Sequence, residues 1–417
     1  MGEPTLPDTS LHTALRAQVA ARAEQLTSLA RDLHAHPETA FEEHRSAAVL
    51  AELFQNADFR VERGTAGLPT AFTATAGPDD ADLTIGFCLE YDALPGLGHA
   101  CGHNIIAAAG AGAALALAAV ADDLGLRVKA LGTPAEESGG GKIHMLRAGA
   151  FDDVSCALMT HPGTDDEVGT TSLASRHVGV TYTGRAAHAA VAPHEGVNAA
   201  DACVVAQTAI GLLRQHLPDG TRLHGIVTEG GARSNIVPER ARMSWQFRSG
   251  THAELEELWP RVRACFAAGA LATGCELTLT EPTPAYADLR QDTWLSERYA
   301  HHARLLGRTP RRPASVGAST DMGNISHVMP SIHPTIGLGS TALPHTSGFA
   351  AATTGPAADR AVLDAALTLA GTAADLAQNP ERRAEVVQAH RQRPTSADAD
   401  ASPAGRPDPV DAAGTWA

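Results

Sequence analysis

The chain has 417 residues, with Lys+Arg 32 against Asp+Glu 47 and a formal charge of -15. That length allows two or more domains with real cores, and an acidic balance without any basic run argues against nucleic acid or an anionic membrane surface as partner. Hydrophobic residues make up 44% but aromatics only 4%, so the cores must be built from alanine, valine and leucine, and a small molecule is the default partner.

The first forty residues lack a basic start followed by an apolar core, and the longest apolar run, 105–120, is alanine-rich and broken by glycines. Neither a signal peptide nor a membrane span is expected. The six cysteines, Cys88, Cys101, Cys156, Cys203, Cys265 and Cys275, are scattered without pairing-like spacing. Free thiols fit a reducing compartment, and the expected location is cytoplasmic.

In chain order, "LHTALRAQVAARAEQLTSLARDLHAHP" has apolar residues at helical spacing and stops at Pro37. "LTIGFCLE" (83–90) and "VKALGT" (128–133) read as buried strands feeding the loops "YDALPG" and "PAEESGGG". Between them "HNIIAAAGAGAALALAAVADDLG" reads as a helix, and "CALMT" (156–160) is a third apolar run leading into "HPG". This rhythm predicts an α/β fold, a mixed-sheet catalytic domain with helices on both faces. From about residue 172 the order becomes strand, helix, strand, strand, helix, strand, closing at "CELTLTEP". That is the ferredoxin-like α+β arrangement, as if a small domain (172–285) were inserted between the two parts (10–171 and 286–390) of the larger one. After 286 come a helix at "QDTWLSERYAHHARLLG", a strand at "SIHPTIGLG" and a long helix from "GPAADRAVLDAALTLAGTAADLA". The stretch 391–417 is rich in Pro, Ala and Asp with little to bury, and is expected to be disordered.

Four loops carry the chemistry: Cys101 and His103 in "GHACGHN", the pair Glu136 and Glu137, His161, and His345 in "ALPHTSG". Three of the four follow predicted strands, where open sheets place their ligand sites. Thiolate, imidazole and carboxylate are the donors of zinc and its neighbours, and five candidate ligands exceed one tetrahedral site, so two divalent ions sharing a bridging ligand are expected. Zinc is the first expectation, with manganese, cobalt and nickel tolerated by the same donors. One glutamate of the pair can bind metal while its neighbour moves a proton, which is hydrolytic chemistry. Two plainer readings of Cys101 stand beside this: a buried structural thiol in a tight loop, and a nucleophile activated by a histidine. The nucleophile leaves "PAEES", His161 and His345 without roles.

"HACGHN", "PAEES", "LMTHP", "GRAAHAA", "SNIVPE" and "PHTSGF" resemble, in order, the motifs of the dinuclear metallopeptidase and amidohydrolase superfamily that includes aminoacylase and glutamate carboxypeptidase. The cysteine in place of a bridging aspartate is similar to the branch of aminobenzoyl-glutamate hydrolase. "EYDALPGLGHACGHN" with "STDMGNISHVMPSIHP" looks closest to the sub-branch holding that enzyme and the β-alanyl-lysine type of dipeptidase. The resemblance covers roughly residues 12–385.

It implies that Cys101 bridges two metals whose shells His103, Glu137, His161 and His345 complete, that Glu136 is the general base, and that Asp92 orients a ligand from behind. It implies that the inserted domain is a lid through which two copies dimerise, with His188 reaching across to the oxyanion. Asn235 matches a residue that contacts the substrate carboxylate, and Arg248 is a weaker candidate for the same task. His194 departs from a tryptophan common in close relatives. His34, His36 and Glu38 resemble a signature near the cleft and are not expected to be ligands. The expected activity is metal-dependent hydrolysis of an N-acyl amino acid or unusual dipeptide. The alternatives are acyl transfer or amide formation at the same site, and a metal-binding scaffold without turnover.

Overall fold

The computed structural model describes residues 9–313 and 317–396. At its centre lies the strand Leu83–Leu89, with all seven residues buried. A strand covered on both faces needs no polar side, which is why the sequence shows an unbroken apolar run there. Leu126–Gly132 and Cys156–Leu158 flank it in parallel, and Ser331–Ile332 extends the sheet in parallel beyond them. Phe72–Ala76 and then Arg60–Arg63 add antiparallel partners at the other edge. The result is a mixed six-stranded sheet.

Strand alternation divides the core in two. Ile85, Phe87 and Leu89 join one apolar cluster with the helix His103–Ala118, while Cys88 joins another with Met145 and Met322 from the short helices Gly141–Arg147 and Met322–Ser326. The alanine-rich composition finds its use in the first cluster. His103–Ala118 packs against Ala23–Ala35 and Pro356–Gln378, and a Cβ at Gly112 would lie 2.7 Å from Leu26 Cδ1 and 2.9 Å from Ala366 Cβ. Small residues let these helices approach closely enough to exclude water.

The second sheet contains Glu276–Thr280, Ala174–Thr183, Arg240–Ser249 and Arg222–Glu229, in that spatial order and entirely antiparallel. The helices Ala199–Leu213 and His252–Thr273 pack on it. Its apolar cluster is separate, with Trp245, Phe247 and Phe266 ring against ring. Thr251 and Glu254 form a capping box that fixes the start of the second helix.

Several elements differ from the sequence reading. The first expected helix is two, Thr9–Ala21 and Ala23–Ala35, with Arg22 at φ -107 and ψ 5 between them; no proline or glycine marks the break. "SIHPTIGLG" divides into Ser331–Ile332 and Thr335–Gly337, because Pro334 lacks an N–H and restrains His333. The helix Pro380–Gln392 follows an Asn379 cap, and Arg393 then donates to the Phe151 carbonyl at 2.8 Å. The rest of the expected disordered tail, from 397, lies outside the described residues. No helix among the described residues is long and apolar enough to cross a membrane.

Candidate metal centre

Gly102, at φ 88, ends one loop and caps the helix that begins at His103. A Cβ there would meet Pro162 Cγ at 2.4 Å, so glycine is needed both for the backbone turn and for the close passage of the His161 segment. This packing brings Cys101 Sγ to 3.3 Å from His161 Nε2. From another strand end, Glu137 Oε1 lies 3.9 Å from His103 Nε2 and 3.4 Å from His345 Nε2.

Cys101 is common to two groups of donor atoms lying within 4.8 Å of one another, Cys101–His103–His161 and Cys101–Glu137–His345. The five expected ligands therefore converge. The donors suit divalent ions, whose bonds to such atoms run to about 2.0–2.3 Å. Two of the donor atoms, His103 Nε2 and Glu137 Oε1, are buried without any hydrogen-bond partner, a costly state that a bound cation would relieve.

Asp92 ties two ligands together. Its Oδ1 accepts from His103 Nδ1 at 2.9 Å and its Oδ2 from the Glu137 main-chain N–H at 3.0 Å. That directs Nε2 of His103 toward the donors. Burial works against a charged His103, but the Asp92 carboxylate, hydrogen-bonded to its ring, leads the contributions that more than offset it and raise its pKa well above the usual value. Burial also pushes the Cys101 thiol up strongly and lowers His161.

The two adjacent glutamates are held in opposite protonation regimes. Burial, reinforced by the negative charges of Glu90, Glu137 and Asp321, raises Glu136 well above the ordinary carboxylate range. At Glu137 burial is outweighed by the nearby imidazoles of His345 and His103, which hold it low. One carboxyl is tuned to hold a proton and the other to stay ionised.

The turn that presents them is unusual. Ala135 precedes Glu136 at φ 59, a left-handed conformation that costs a non-glycine residue roughly 1–2 kcal/mol. Its N–H is accepted by the buried Glu43 carboxylate at 2.9 Å, and its carbonyl accepts from Gly139 and Gly140 at 2.9 and 2.8 Å. Burial raises Glu43 itself to about 7.

Sequence reasoning missed a buried triad behind the centre. Lys142 Nζ lies 2.5 Å from Glu90 Oε1 and 2.6 Å from Asp321 Oδ1, with all three side chains essentially inaccessible. The free Oε2 of Glu90 faces His103 Nε2 at 3.4 Å. Burial opposes ionisation of Glu90, but Lys142 wins and holds it at about 2; at Asp321 burial wins and its pKa rises to about 6. A signal was present: of 32 basic residues only Lys129 and Lys142 are lysines. At Lys142 this arginine-rich chain places a compact ammonium between two buried carboxylates.

The remaining candidates stand apart from this cluster. His188 is exposed, and its Nδ1 accepts from the N–H groups of Ala190 and Val191 at 3.2 Å each. Asn235 is also exposed, its carbonyl bonded to Ala189 N–H at 3.0 Å, so the two lie side by side on the four-stranded unit. Arg248 Nη1 donates to Ser319 Oγ at 2.8 Å. His34 Nε2 meets the Ala350 carbonyl at 2.9 Å, and Glu38 accepts from the N–H groups of Arg45 and Ser46, so both serve the local fold.

With thiolate, imidazole and carboxylate donors brought together beside an α/β sheet, all but the exposed His345 buried or half-buried, the molecule has the makings of a metallohydrolase. The model of peptidase family M20/M25/M40 matches residues 84–362, and the chain belongs to this family. It is 39% identical over 375 residues to the mouse (Mus musculus) Xaa-Arg dipeptidase, covering 86% of this chain and 87% of that protein. It is 34% identical to one of the polypeptides of the p-aminobenzoyl-glutamate hydrolase of Escherichia coli, over 61% of this chain and 57% of that polypeptide. A Bacillus subtilis dinuclear metal binding peptidase of the M20 family shares the fold with a TM-score of 0.64 at 20% identity, over 88% of this chain and 99% of that one.

Proposed function

We propose that the protein hydrolyses the amide bond of a dipeptide or N-acyl amino acid, with Cys101, His103, Glu137, His161 and His345 as the residues that would hold two divalent ions, Cys101 being common to both donor groups. The observation that carries this reading is the convergence of these five residues, with buried donor atoms lacking partners, in a chain of this family. Zinc is the first choice, and when bound the ions supply Lewis acidity and a water acidic enough to attack near neutral pH. Glu136 would take the proton from the attacking water and return it to the leaving amine, and its place in one donor group with His103 and Glu137 supports that role. Asp92 keeps the His103 ring and the Glu137 main chain in register.

The division into a catalytic domain (10–171 with 286–390) and an inserted lid (172–285) is part of the same proposal, supported by the separate apolar clusters of the two sheets. Dimerisation through the lid is supported by the edge strand Arg222–Glu229, which pairs on one side only and exposes Ile226 and Val227. His188 of one copy would then face the oxyanion of the other, and Asn235 beside it the substrate carboxylate, with Arg248 as the weaker candidate for that carboxylate. The names of the relatives favour dipeptides with a basic C-terminal residue, or aminobenzoyl-glutamate, as first substrates. Six uncrosslinked cysteines support a reducing, cytoplasmic setting.

The test is to strip the protein of metal, reload it with zinc or manganese, and quantify amine released from Xaa-Arg and β-alanyl dipeptides, aminobenzoyl-glutamate and N-acyl amino acids. Metal-restored release establishes the hydrolase and its substrate class. Glu136→Ala should keep two metals per chain and lose turnover by about 10²–10⁴-fold; retained hydrolysis removes Glu136 from the base role.

A further inference from the structure

The segment Ala135–Glu137 is gripped from three directions, and one grip has a different origin from the others. Glu43 holds the Ala135 N–H and Asp92 the Glu137 N–H; both belong to the large α/β body. The Glu136 carbonyl accepts instead from the phenol of Tyr286, at 2.6 Å. Tyr286 lies in the stretch by which the chain leaves the four-stranded unit, just past the strand Glu276–Thr280.

Tyr286 is itself pinned to the start of that unit. Its N–H donates to the Ser175 carbonyl at 2.8 Å and its carbonyl accepts from Ser175 N–H at 2.9 Å, so the incoming and outgoing segments form an antiparallel bridge. Asn324 holds the same stretch, its Oδ1 accepting from Ala287 N–H at 3.0 Å and its Nδ2 donating to the Ala285 carbonyl at 3.1 Å. On the other side the Tyr286 ring lies over Gly140, where an added Cβ would come 3.1 Å from Cε1. The phenol therefore connects the junction of the two sheets with the main chain of Glu136.

We propose that Tyr286 is a positioning residue: its hydroxyl fixes the Glu136 carbonyl, and with it the aim of the Glu136 carboxylate, relative to the junction from which the four-stranded unit hangs. This rests on the reading of Glu136 as the base. Physically, a strained turn at Ala135 returns toward ordinary φ unless its surroundings over-determine it, and Tyr286 and Asp92 hold the two ends of the Glu136–Glu137 peptide, the carbonyl and the N–H, so loss of the phenol leaves that peptide fixed at one end only. Misplacement of a catalytic group by about 1 Å costs on the order of 10²-fold in rate.

The experiment compares Tyr286→Phe, Tyr286→Leu and Glu136→Gln with the unaltered protein. It measures metal content, melting temperature, kcat and KM on the best Xaa-Arg or β-alanyl dipeptide, and amide hydrogen exchange of peptides covering 134–140. Tyr286→Phe should keep its metals and melting temperature, lower kcat by about 10–100-fold with KM nearly constant, and speed exchange in 134–140 but not in the strand Arg240–Ser249. Unchanged kcat and exchange in Tyr286→Phe, with loss only in Tyr286→Leu, would mean that the ring packs and the hydroxyl positions nothing, overturning the proposal. A Glu136→Gln protein that still turns over overturns the base reading instead, while the exchange rates of Tyr286→Phe continue to decide whether the hydroxyl holds the turn.

Discussion

The strands Leu83–Leu89 and Arg222–Glu229 are close in length but opposite in exposure. The first buries every residue, and the second buries only Leu223. One has sheet neighbours on both sides and apolar clusters on both faces; the other is the outer strand of its sheet. The difference separates two ways of using a side chain. Around the large sheet, functional atoms are fixed by burial and by hydrogen bonds to atoms that are themselves fixed. On the four-stranded unit, His188 and Asn235 are exposed and are placed by hydrogen bonds within their own loops.

Substitutions in the two regions should then differ in kind. The largest effect is expected at Lys142. Lys142→Met leaves Glu90 and Asp321 buried without their counter-charge, which should cost about 3–5 kcal/mol of stability, read by denaturant unfolding. Lys142→Arg keeps the charge but not the compact shape, and an overpacked site of this kind should cost about 1–3 kcal/mol. A Lys142→Met protein as stable as the original would mean that the triad is wetter than its burial indicates.

Glu43 sharpens the same point through pH. Its carboxyl is raised to about 7 from an ordinary 4.5, chiefly by burial and then by the charge of Asp92. A carboxyl whose folded pKa stands above its unfolded one binds more protons in the folded state, so its contribution is full below pH 4.5 and is lost as pH rises through about 7. Glu43→Gln retains an acceptor for Ala135 N–H and cannot ionise. Its stability relative to the unaltered protein should therefore increase between pH 4.5 and 7, by at most about 3 kcal/mol. A difference independent of pH would remove Glu43 as the titrating group.

Asp92→Asn comes next. An amide can still accept at one atom but cannot serve both His103 Nδ1 and Glu137 N–H as acceptors. Loss of such an outer partner lowers metal affinity by about 10–100-fold, measured by competition with a chelator of known affinity. Unchanged affinity would show that the His103 ring is held by packing alone.

These buried partners also mark the limit of what could be read from sequence. The convergence of Cys101, His103, Glu137, His161 and His345 was legible because each stands in or beside a loop next to an apolar or motif-bearing run, so local pattern and chemistry coincide. The four-stranded unit was legible because its strands and helices follow one another in the order strand, helix, strand, strand, helix, strand. The triad was not, since Lys142 meets partners 52 and 179 residues away and no local periodicity encodes such a contact. The turn at Ala135 was hidden for another reason: a left-handed position usually advertises itself as glycine, and here alanine occupies it, held by Glu43. Tyr286 was missed because its hydroxyl serves a carbonyl, and carbonyls carry no sequence signal at all.

The smallest effects on stability, and the sharpest contrast with the centre, are expected on the four-stranded unit. His188→Ala removes an exposed ring that only caps a turn within its own chain, so the folded state should change by no more than about 0.5 kcal/mol and metal content not at all. If His188 nevertheless works on the site of a second copy, turnover should fall by roughly 10²–10³-fold, the usual loss for one oxyanion donor. Ile226→Lys tests that geometry from a position remote from the metal ligands. A lysine on the exposed edge strand should dissociate a dimer built there, visible by sedimentation, and should lower turnover as His188→Ala does, because each copy then lacks the other's histidine. A monomeric Ile226→Lys protein with full activity would place everything the reaction needs within one chain, and would leave the His188 ring with no task beyond its own turn.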